Sequence, residues 1–222
     1  MKYDDLVEEL SNKTDNCFYL ITKRCFDVFT SFIALLILSF LLLIIALIIL
    51  CSQHHNPIFR DKRVGKNGKI IRVFKFKTMY QDAESNPEKY LNPEQMQQWK
   101  TERKVDNDPR ETKIGKFLRK TSIDELPQLL NVVIGDLALV GNRPITEEEM
   151  LANFSEKEIK VLNQRRPGIT GTWQVYHRTK ATWKSGERKE YIFEYLKNRS
   201  LWYDLKLLIL TIPSCIKFAL KK

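Results

Sequence analysis

Residues 28–50 read VFTSFIALLILSFLLLIIALIIL, an apolar run in which only Thr30, Ser31 and Ser39 carry polar side chains. As a helix this run would extend roughly 35 Å at about 1.5 Å per residue, enough to cross a bilayer. It is too long for the apolar part of a secretory signal, and no small-residue cleavage site follows it. We therefore expect a retained membrane helix.

Basic residues flank both ends of this run. Lys23 and Arg24 precede it, and Arg60, Lys62 and Arg63 follow it. Because positive charge marks the cytoplasmic side of a membrane helix, a spanning helix has no clear orientation here. A re-entrant helix that returns to the same face accounts for both clusters. We expect the rest of the chain to lie on the cytoplasmic face.

The composition sets the broad class of the protein. The chain has 222 residues and a formal net charge of +10, so we expect one domain beside the membrane element and anionic partners. Phosphorylated substrates, acidic lipid headgroups and nucleic acid all fit that charge. Four cysteines without metal-ligand spacing indicate reduced thiols. The phosphate-binding loops G-x-x-x-x-G-K-[ST] and G-x-G-x-x-G do not occur in the sequence.

Turn and helix signals alternate after the membrane run. Asn67-Gly68 predicts a hairpin between a strand near 57–59 and a strand over 70–79. Apolar residues spaced i, i+3, i+4 and i+7 from Leu126 predict a helix that ends at Gly135. The predicted fold class is therefore α+β: a membrane-embedded helix and a small, mainly helical cytoplasmic domain with short strands and interfacial amphipathic helices.

A second apolar stretch covers residues 201–220. Three charged residues interrupt it, and we expect Pro213 to break it, so it is a poor spanning helix. It suits a helix lying along the membrane interface, with packing into the core as the alternative. Two helices before it have capping-box starts, Thr146 with Glu149 and Ser155 with Glu158.

Two adjacent carboxylates, Asp124 and Glu125, follow two cations in the sequence RKTSIDELP over 119–127. One interpretation is structural, because Ser122 and Glu125 have capping-box spacing and Asp124 would be a favourable first-turn acid. The other is functional. A helix N-terminus binds phosphate and keeps a carboxylate ionised, as a nucleophile must be. The pair could also hold a divalent metal.

Basic residues in short loops could complete a phosphate site. Lys75 and Lys77 share a strand face, Arg143 lies in Gly141-Asn142-Arg143-Pro144, and Arg166 lies in another loop with glycine and proline. Each cation alone is read more simply as a solvated surface charge. A diphosphate, however, needs several fixed cations, so together they favour a phosphorylated ligand.

In this order the motifs resemble the bacterial sugar transferase family, the monotopic polyprenyl-phosphate phosphoglycosyl transferases. The likeness runs from about Lys23 to the C-terminus. Its motifs are Lys23-Arg24-x-x-Asp27, Arg63-Val64-Gly65-Lys66-Asn67-Gly68, Lys75-Phe76-Lys77-Thr78-Met79, Leu118-Arg119-x-x-Ser122-x-Asp124-Glu125-Leu126-Pro127-Gln128-Leu129, Asn131-Val132, Gly135-Asp136, Leu139-Val140-Gly141-x-Arg143-Pro144 and Arg166-Pro167-Gly168-Ile169-Thr170-Gly171. Several such motifs in one order are specific, whereas one alone would not be.

The resemblance implies a reaction. The donor would be a UDP-sugar, the acceptor undecaprenyl phosphate and the by-product UMP. Asp124 would attack the sugar-bearing phosphate to give an aspartyl phosphosugar, which the lipid phosphate then takes up. Glu125 would assist through metal or proton handling, with Mg²⁺ held by Asp124 and Glu125. The residues implied around the donor phosphates are Arg119, Arg143 and Pro144, and more weakly Lys75, Lys77 and Arg166.

The resemblance also implies a placement and partners. Residues 1–22 would form an amphipathic segment, 23–52 the membrane helix and 53–222 the catalytic domain at the bacterial cytoplasmic membrane. The chain would be a minimal form without the extra membrane helices of larger relatives. Its product would pass to downstream glycosyltransferases of capsule, exopolysaccharide, O-antigen or glycoprotein glycan synthesis. Inner membrane lipid is an expected partner and nucleic acid is not, while a homodimer is compatible with a membrane-surface enzyme.

Two positions depart from the family pattern. Ser39-Phe40 stands where the family often has Ser-Pro, so the usual cause of a re-entrant kink is missing. Asn142 stands where proline commonly precedes Arg-Pro, which bears on donor specificity. The segment Thr172-Trp173-Gln174-Val175 is more similar to hexose-transferring members, but the sequence does not name the sugar.

Two alternatives stay open. The same substrates could react directly in a ternary complex, without a covalent intermediate. In a different class, the chain could be a membrane-anchored basic binding or scaffold protein without catalysis. Against that class, the basic residues lie in loops beside carboxylates and not in a continuous stripe with stacking aromatics.

Overall fold

The computed structural model describes residues 3–53, 56–102, 105, 107–177, 183 and 185–221. Within them helices mix with short strands, which confirms the α+β prediction. The helices are α1 (Tyr3–Asn12), α2 (Cys17–Gln53), α3 (Pro93–Glu102), α4 (Lys113–Thr121), α5 (Gln128–Ile134), α6 (Glu147–Asn153), α7 (Glu156–Asn163), α8 (Glu187–Asn198) and α9 (Leu201–Lys221). The strands are β1 (Ile58–Val64), β2 (Ile70–Phe76), β3 (Ala138–Val140) and β4 (Gly168–Thr170). Short 3₁₀ turns cover Lys66–Gly68, Pro87–Lys89 and Ile123–Glu125, and Trp173–His177 forms a π-helical turn.

α2 is one unbroken helix that contains the whole apolar run. It begins at Cys17, ahead of the boundary predicted between residues 22 and 23. One stripe of its surface packs along the domain, where Asp27, Ser31, Ile45 and Ile49 are buried. Their spacing follows one face of a helix. The opposite face exposes large apolar side chains, and by length and composition α2 could cross a membrane.

Both ends of the apolar segment contact the same domain. Near its start, Lys23 Nζ lies 2.9 Å from Asp204 Oδ2 in α9. Near its end, Ile49 is fully buried in a small apolar cluster with Phe76 of β2 and Leu118 of α4. α2 is therefore held against the domain along most of its length.

β1 and β2 form the hairpin that Asn67-Gly68 predicts. Both residues have positive φ, 60° and 73°, the left-handed conformation that a tight hairpin turn needs. The antiparallel register places Lys75 opposite Phe59 and Phe76 opposite Ile58. Lys75 and Phe76 therefore face opposite sides of the hairpin, as predicted. β1 is longer than the predicted strand, and β2 ends before the predicted limit at residue 79.

The second sheet pairs β3 with β4 in parallel, with Ala138 opposite Gly168. This sheet lies in the main core together with α5, α8 and α9, where Phe193 is among the fully buried side chains. A Cβ on Gly168 would lie 2.1 Å from the Gly141 amide nitrogen. The loop after β3 therefore reaches β4 only because no side chain separates the two backbones, and that loop carries Arg143.

α9 differs from the prediction at Pro213, and it shows how the apolar tail packs. Pro213 does not break the apolar tail but lies inside a single helix, although proline in a helix interior removes a backbone donor and clashes with the carbonyl four residues earlier. One side of α9 packs into the core, where Leu207 is fully buried, while Trp202 is 81% and Ile212 68% exposed on the other side. Core packing and an exposed apolar face thus coexist on one helix. The capping boxes that start α6 and α7 are confirmed.

Candidate active site

Asp124 and Glu125 lie in one 3₁₀ turn between α4 and α5. Ser122 has φ 62° and ends α4, since its N–H donates to the Arg119 carbonyl at 3.3 Å. Its side chain makes no capping hydrogen bond. The capping-box interpretation of Ser122 and Glu125 is therefore wrong, because Ser122 ends α4 and precedes the 3₁₀ turn without capping it through its side chain. α5 itself begins only at Gln128.

Glu125 lines a small cleft that also contains predicted basic residues, whereas Asp124, its neighbour in the same 3₁₀ turn, is not among the lining residues. Arg143 NH1 lies 3.7 Å from Glu125 Oε1, and both side chains are mostly buried. Asp124 is only 9% exposed. The cleft is lined by Lys75, Glu125, Gln128, Arg143, Pro144 and Ile169. The structure thus brings together four predicted site residues that are far apart in the sequence.

Lys75 reaches this cleft as part of a buried charge network. Its Nζ donates to Asp61 Oδ2 at 2.8 Å, and Arg63 donates to the same oxygen at 2.8 Å. Burial lowers the pKa of Lys75, which Asp61 opposes. Burial would raise the pKa of Asp61, but the charges and hydrogen bonds of Lys75 and Arg63 outweigh it and lower that pKa to about 2. Asp61 therefore remains ionised and fixes the lysine in place.

Arg119 is bound to residues outside this network. Its Nε donates to Thr78 Oγ1 at 2.8 Å and its NH1 to Glu111 Oε1 at 2.7 Å. Arg119 is not among the residues that line the cleft. In this structure it ties α4 to the segment that follows β2.

Arg166 and Lys77 also lie outside the cleft lining. Arg166 donates to the Gly135 carbonyl at 2.7 Å, and Arg24 of α2 donates to the Val132 carbonyl at 2.8 Å. Both guanidinium groups thus hold the C-terminal end of α5, where free carbonyls attract cations. Lys77 donates its backbone N–H to the Pro57 carbonyl at 2.8 Å and extends the hairpin ladder.

Asn131 ties the helix that follows the dyad to β2, a role that was not predicted. Its Oδ1 accepts from the Phe74 N–H and its Nδ2 donates to the Arg72 carbonyl, both at 2.8 Å. This fully buried amide joins α5 to β2. A signal was present in the sequence, since Asn131 is a polar residue among the apolar residues of α5.

A second cleft beside the first is built from alternating cations and indoles. Arg143 lies 5.2 Å from the Trp173 ring centre, and Arg188 lies 4.7 Å from Trp173 and 4.9 Å from Trp183. Among the described residues, the buried Trp173 Nε1–H is a donor without a hydrogen-bond partner. Arg188 and Trp183 lie far from Arg143 in the sequence, so no spacing pattern could have linked them.

The donor set of the dyad fits Mg²⁺. Within the described ranges no cluster of three or more His, Cys, Asp or Glu side chains suits a metal ion. Mg²⁺, however, keeps several waters and is usually held by one or two carboxylates together with substrate phosphates. Asp124 and Glu125, next to a cleft with two cations, have this chemistry.

Comparison with known proteins identifies the class. The chain belongs to the bacterial sugar transferase family, whose family model matches residues 18–218. Membrane association follows from α2 and this membership.

Three relatives illustrate the range of the family. The chain is 37% identical to the exopolysaccharide production protein ExoY of Rhizobium meliloti over 87% of this chain and 85% of that protein. It is 36% identical to the undecaprenyl-phosphate galactose phosphotransferase of Salmonella typhimurium, over 85% of this chain and 39% of that protein. It is 35% identical to the UDP-glucose:undecaprenyl-phosphate glucose-1-phosphate transferase of Escherichia coli, over 86% and 39%. The chain therefore spans most of ExoY but about two-fifths of the other two.

Proposed function

We propose that this protein transfers a phosphosugar from a UDP-sugar to undecaprenyl phosphate, releasing UMP and forming a lipid diphosphosugar for polysaccharide synthesis. One observation carries the proposal: Glu125, next to the buried Asp124 in one 3₁₀ turn, shares a cleft with Arg143 and Lys75, in a domain held against an apolar helix. The activities for which the Salmonella and Escherichia relatives are named support the donor and acceptor classes.

In the proposed mechanism Asp124 is the nucleophile. A carboxylate oxygen forms a bond to the sugar-bearing phosphorus, and the bond to the bridging oxygen breaks, so UMP leaves with that electron pair. A phosphate oxygen of the lipid then attacks the same phosphorus, and Asp124 is released as a carboxylate. Burial of Asp124 helps to exclude water, which would otherwise hydrolyse the intermediate.

Arg143 and Lys75 would balance the charge of the diphosphate. Asp61 holds Lys75 and Glu125 faces Arg143, so both cations are fixed before a ligand binds. Mg²⁺ held by Asp124 and Glu125 would neutralise further phosphate charge when bound. The contacts of Arg119 and Arg166 support a role in holding the elements around the site more than direct contact with phosphate.

We place the domain on the cytoplasmic face, with both ends of the apolar segment on that side. The Lys23–Asp204 ion pair and the burial of Ile49 support this arrangement, because they hold both ends to one domain. Ser39 stands where the family often has Ser-Pro, and its Oγ donates to the Leu36 carbonyl at 2.8 Å within the unbroken helix α2. Homodimerisation and transfer of the product to downstream glycosyltransferases stay predictions.

The first experiment measures UMP release by full-length protein in detergent with Mg²⁺, undecaprenyl phosphate and a panel of UDP-sugars. We expect lipid-dependent release from at least one donor and its loss in Asp124→Asn. The exposed Asp82→Asn variant serves as a matched control and should keep full activity. No release from any nucleotide-sugar by folded protein would favour the scaffold alternative.

A second experiment separates the two-step reaction from direct transfer. Donor labelled at the sugar-bearing phosphate is supplied without the lipid, and protein-bound label is measured after denaturation. The two-step mechanism predicts label on wild-type protein and none on Asp124→Asn. An active enzyme that never acquires label reacts in a ternary complex.

A further inference from the structure

One face of the β1–β2 hairpin is strongly basic. The register places Lys62 opposite Arg72, and both are exposed, as is Arg60 on the same face. Like charges directly opposite each other destabilise a hairpin unless an anion screens them. Asp61 is the only acid in the two strands, and it is bound to Lys75 and Arg63 on the other face. This basic face is therefore not neutralised within the hairpin.

α4 carries a second basic surface next to an exposed aromatic residue. Lys113 and Lys116 are exposed. Phe117, the residue after Lys116, is also exposed, at 59%. Leu118 points the other way and is buried. α4 contains no acidic residue. Lysines beside an outward-facing aromatic are typical of a helix at the headgroup level of a membrane.

Both surfaces border the C-terminal end of α2. Ile58, which lies two residues before Arg60 on the same strand face, packs on the cluster of Ile49 and Leu118. Lys62 lies about 13 Å further along the strand at about 3.3 Å per residue. The cations therefore lie on elements that pack against the last turns of the apolar helix, which is where a membrane helix meets lipid headgroups.

We propose that these five residues, Arg60, Lys62, Arg72, Lys113 and Lys116, form a basic rim that binds the anionic phospholipid surface of the bilayer. Headgroup phosphates screen the repulsion between Lys62 and Arg72, and Phe117 enters the interface beside them. The attraction of a polybasic segment next to a membrane helix falls off within one Debye length, so the position of the rim at the end of α2 is essential. The proposal rests on membrane association and not on the transferase reaction.

The test measures which phospholipids stay with the protein. Full-length protein is reconstituted in phosphatidylcholine with a minority of phosphatidylglycerol and extracted in mild detergent, and the retained lipids are quantified by mass spectrometry. We expect phosphatidylglycerol to be enriched at least about twofold over the bilayer and this enrichment to fall at high salt. R60Q/K62Q/R72Q and K113Q/K116Q should each reduce it, whereas the charge-preserving R60K/R72K should not.

K157Q/K160Q/K197Q is the matched control, since it removes three exposed lysines outside the rim. The control should retain the enrichment of the wild-type protein. Absence of enrichment in wild type, or an equal loss in the control, would overturn the proposal. DNA binding offers a further test, with protein in phosphatidylcholine nanodiscs. Tight DNA binding by wild type that is lost in the rim variants would also overturn the proposal, because the rim would then recognise a different polyanion.

Discussion

Replacing Asp61 by asparagine should leave two buried cations without their shared counter-charge beside the candidate active site. In the wild-type protein Asp61 Oδ2 accepts from Lys75 and from Arg63, each at 2.8 Å, and the Asp61 side chain is 14% exposed. An asparagine of the same shape offers a neutral oxygen to both. Lys75 and Arg63 would then repel each other in a poorly solvated place.

The magnitude follows from the pKa of Asp61. Its decrease from 3.8 to about 2 corresponds to roughly 2.5 kcal/mol of stability. Removing one member of a buried ion pair typically costs about 3–5 kcal/mol, because the remaining charge stays buried. We therefore expect Asp61→Asn to lower the free energy of unfolding at neutral pH by about 3 kcal/mol.

The pH dependence has a defined sign. The pKa of Asp61 is lower in the folded protein, so its contribution is present above about pH 4 and is lost as the pH falls towards 2. In Asp61→Asn the pKa of Lys75, already lowered by burial, should fall further. The penalty of the substitution should therefore be largest near neutral pH. It should shrink at alkaline pH, where Lys75 loses its proton.

Denaturant unfolding in detergent, followed by tryptophan fluorescence at neutral and alkaline pH, measures this penalty. Asp82→Asn is an informative control, since the pKa of Asp82 is also lowered to about 2, by hydrogen bonds from Lys89 and Tyr90. The Asp82 pair is solvent-exposed, so water screens it and the unfolding midpoint should barely change. Asp61 does not neutralise Lys75 and Arg63 as described if the free energy of unfolding of Asp61→Asn lies within about 1 kcal/mol of the wild-type value. The same conclusion holds if the penalty of the substitution does not depend on pH.

Two further substitutions test the backbone around the site. Asn131→Ala should lower the free energy of unfolding by about 2–4 kcal/mol, because the Phe74 N–H loses its acceptor. Hydrogen exchange at the Phe74 amide should become faster, and unchanged protection of that amide would contradict the prediction. Gly115→Ala should lower the thermal midpoint strongly, because its Cβ would lie 1.8 Å from the Thr78 carbonyl oxygen. Gly186→Ala is the control: its Cβ would meet no atom within 4 Å, so the substitution should cost only about 1 kcal/mol for its positive φ. Equal midpoints in the two glycine variants would show that α4 can move away from Thr78.

Local interactions made much of the fold predictable. Asn67-Gly68 specifies a hairpin because both residues accept positive φ, and the capping boxes of Thr146 and Ser155 need only a residue three positions away. The apolar run of α2 is equally self-contained. Such features depend on neighbours along the chain, which a sequence displays directly.

Sequence spacing predicted the wrong local structure where two helical elements compete for one residue. Ser122 has the capping spacing of Ser155, but α4 extends to Thr121 and needs a left-handed residue at its end. The partners of Arg119 and Arg166 were unpredictable for a related reason. Thr78 and the Gly135 carbonyl become neighbours of these arginines only after the hairpin, α4 and α5 have packed. The family resemblance could mark these arginines but could not show their contacts.

Asn131 has a consequence for how these molecules behave when they are crowded on a membrane. A two-stranded sheet has two open edges, and an open edge can pair with a strand of another molecule. The Asn131 amide occupies the edge of β2 with one acceptor and one donor, as a neighbouring strand would. On the other edge, the Val64 N–H is taken by the Ile145 carbonyl at 2.9 Å. Each edge of the hairpin is thus occupied at one place, by Asn131 on β2 and by Ile145 on β1, which leaves fewer backbone groups for pairing when proteins confined to two dimensions reach high local concentration.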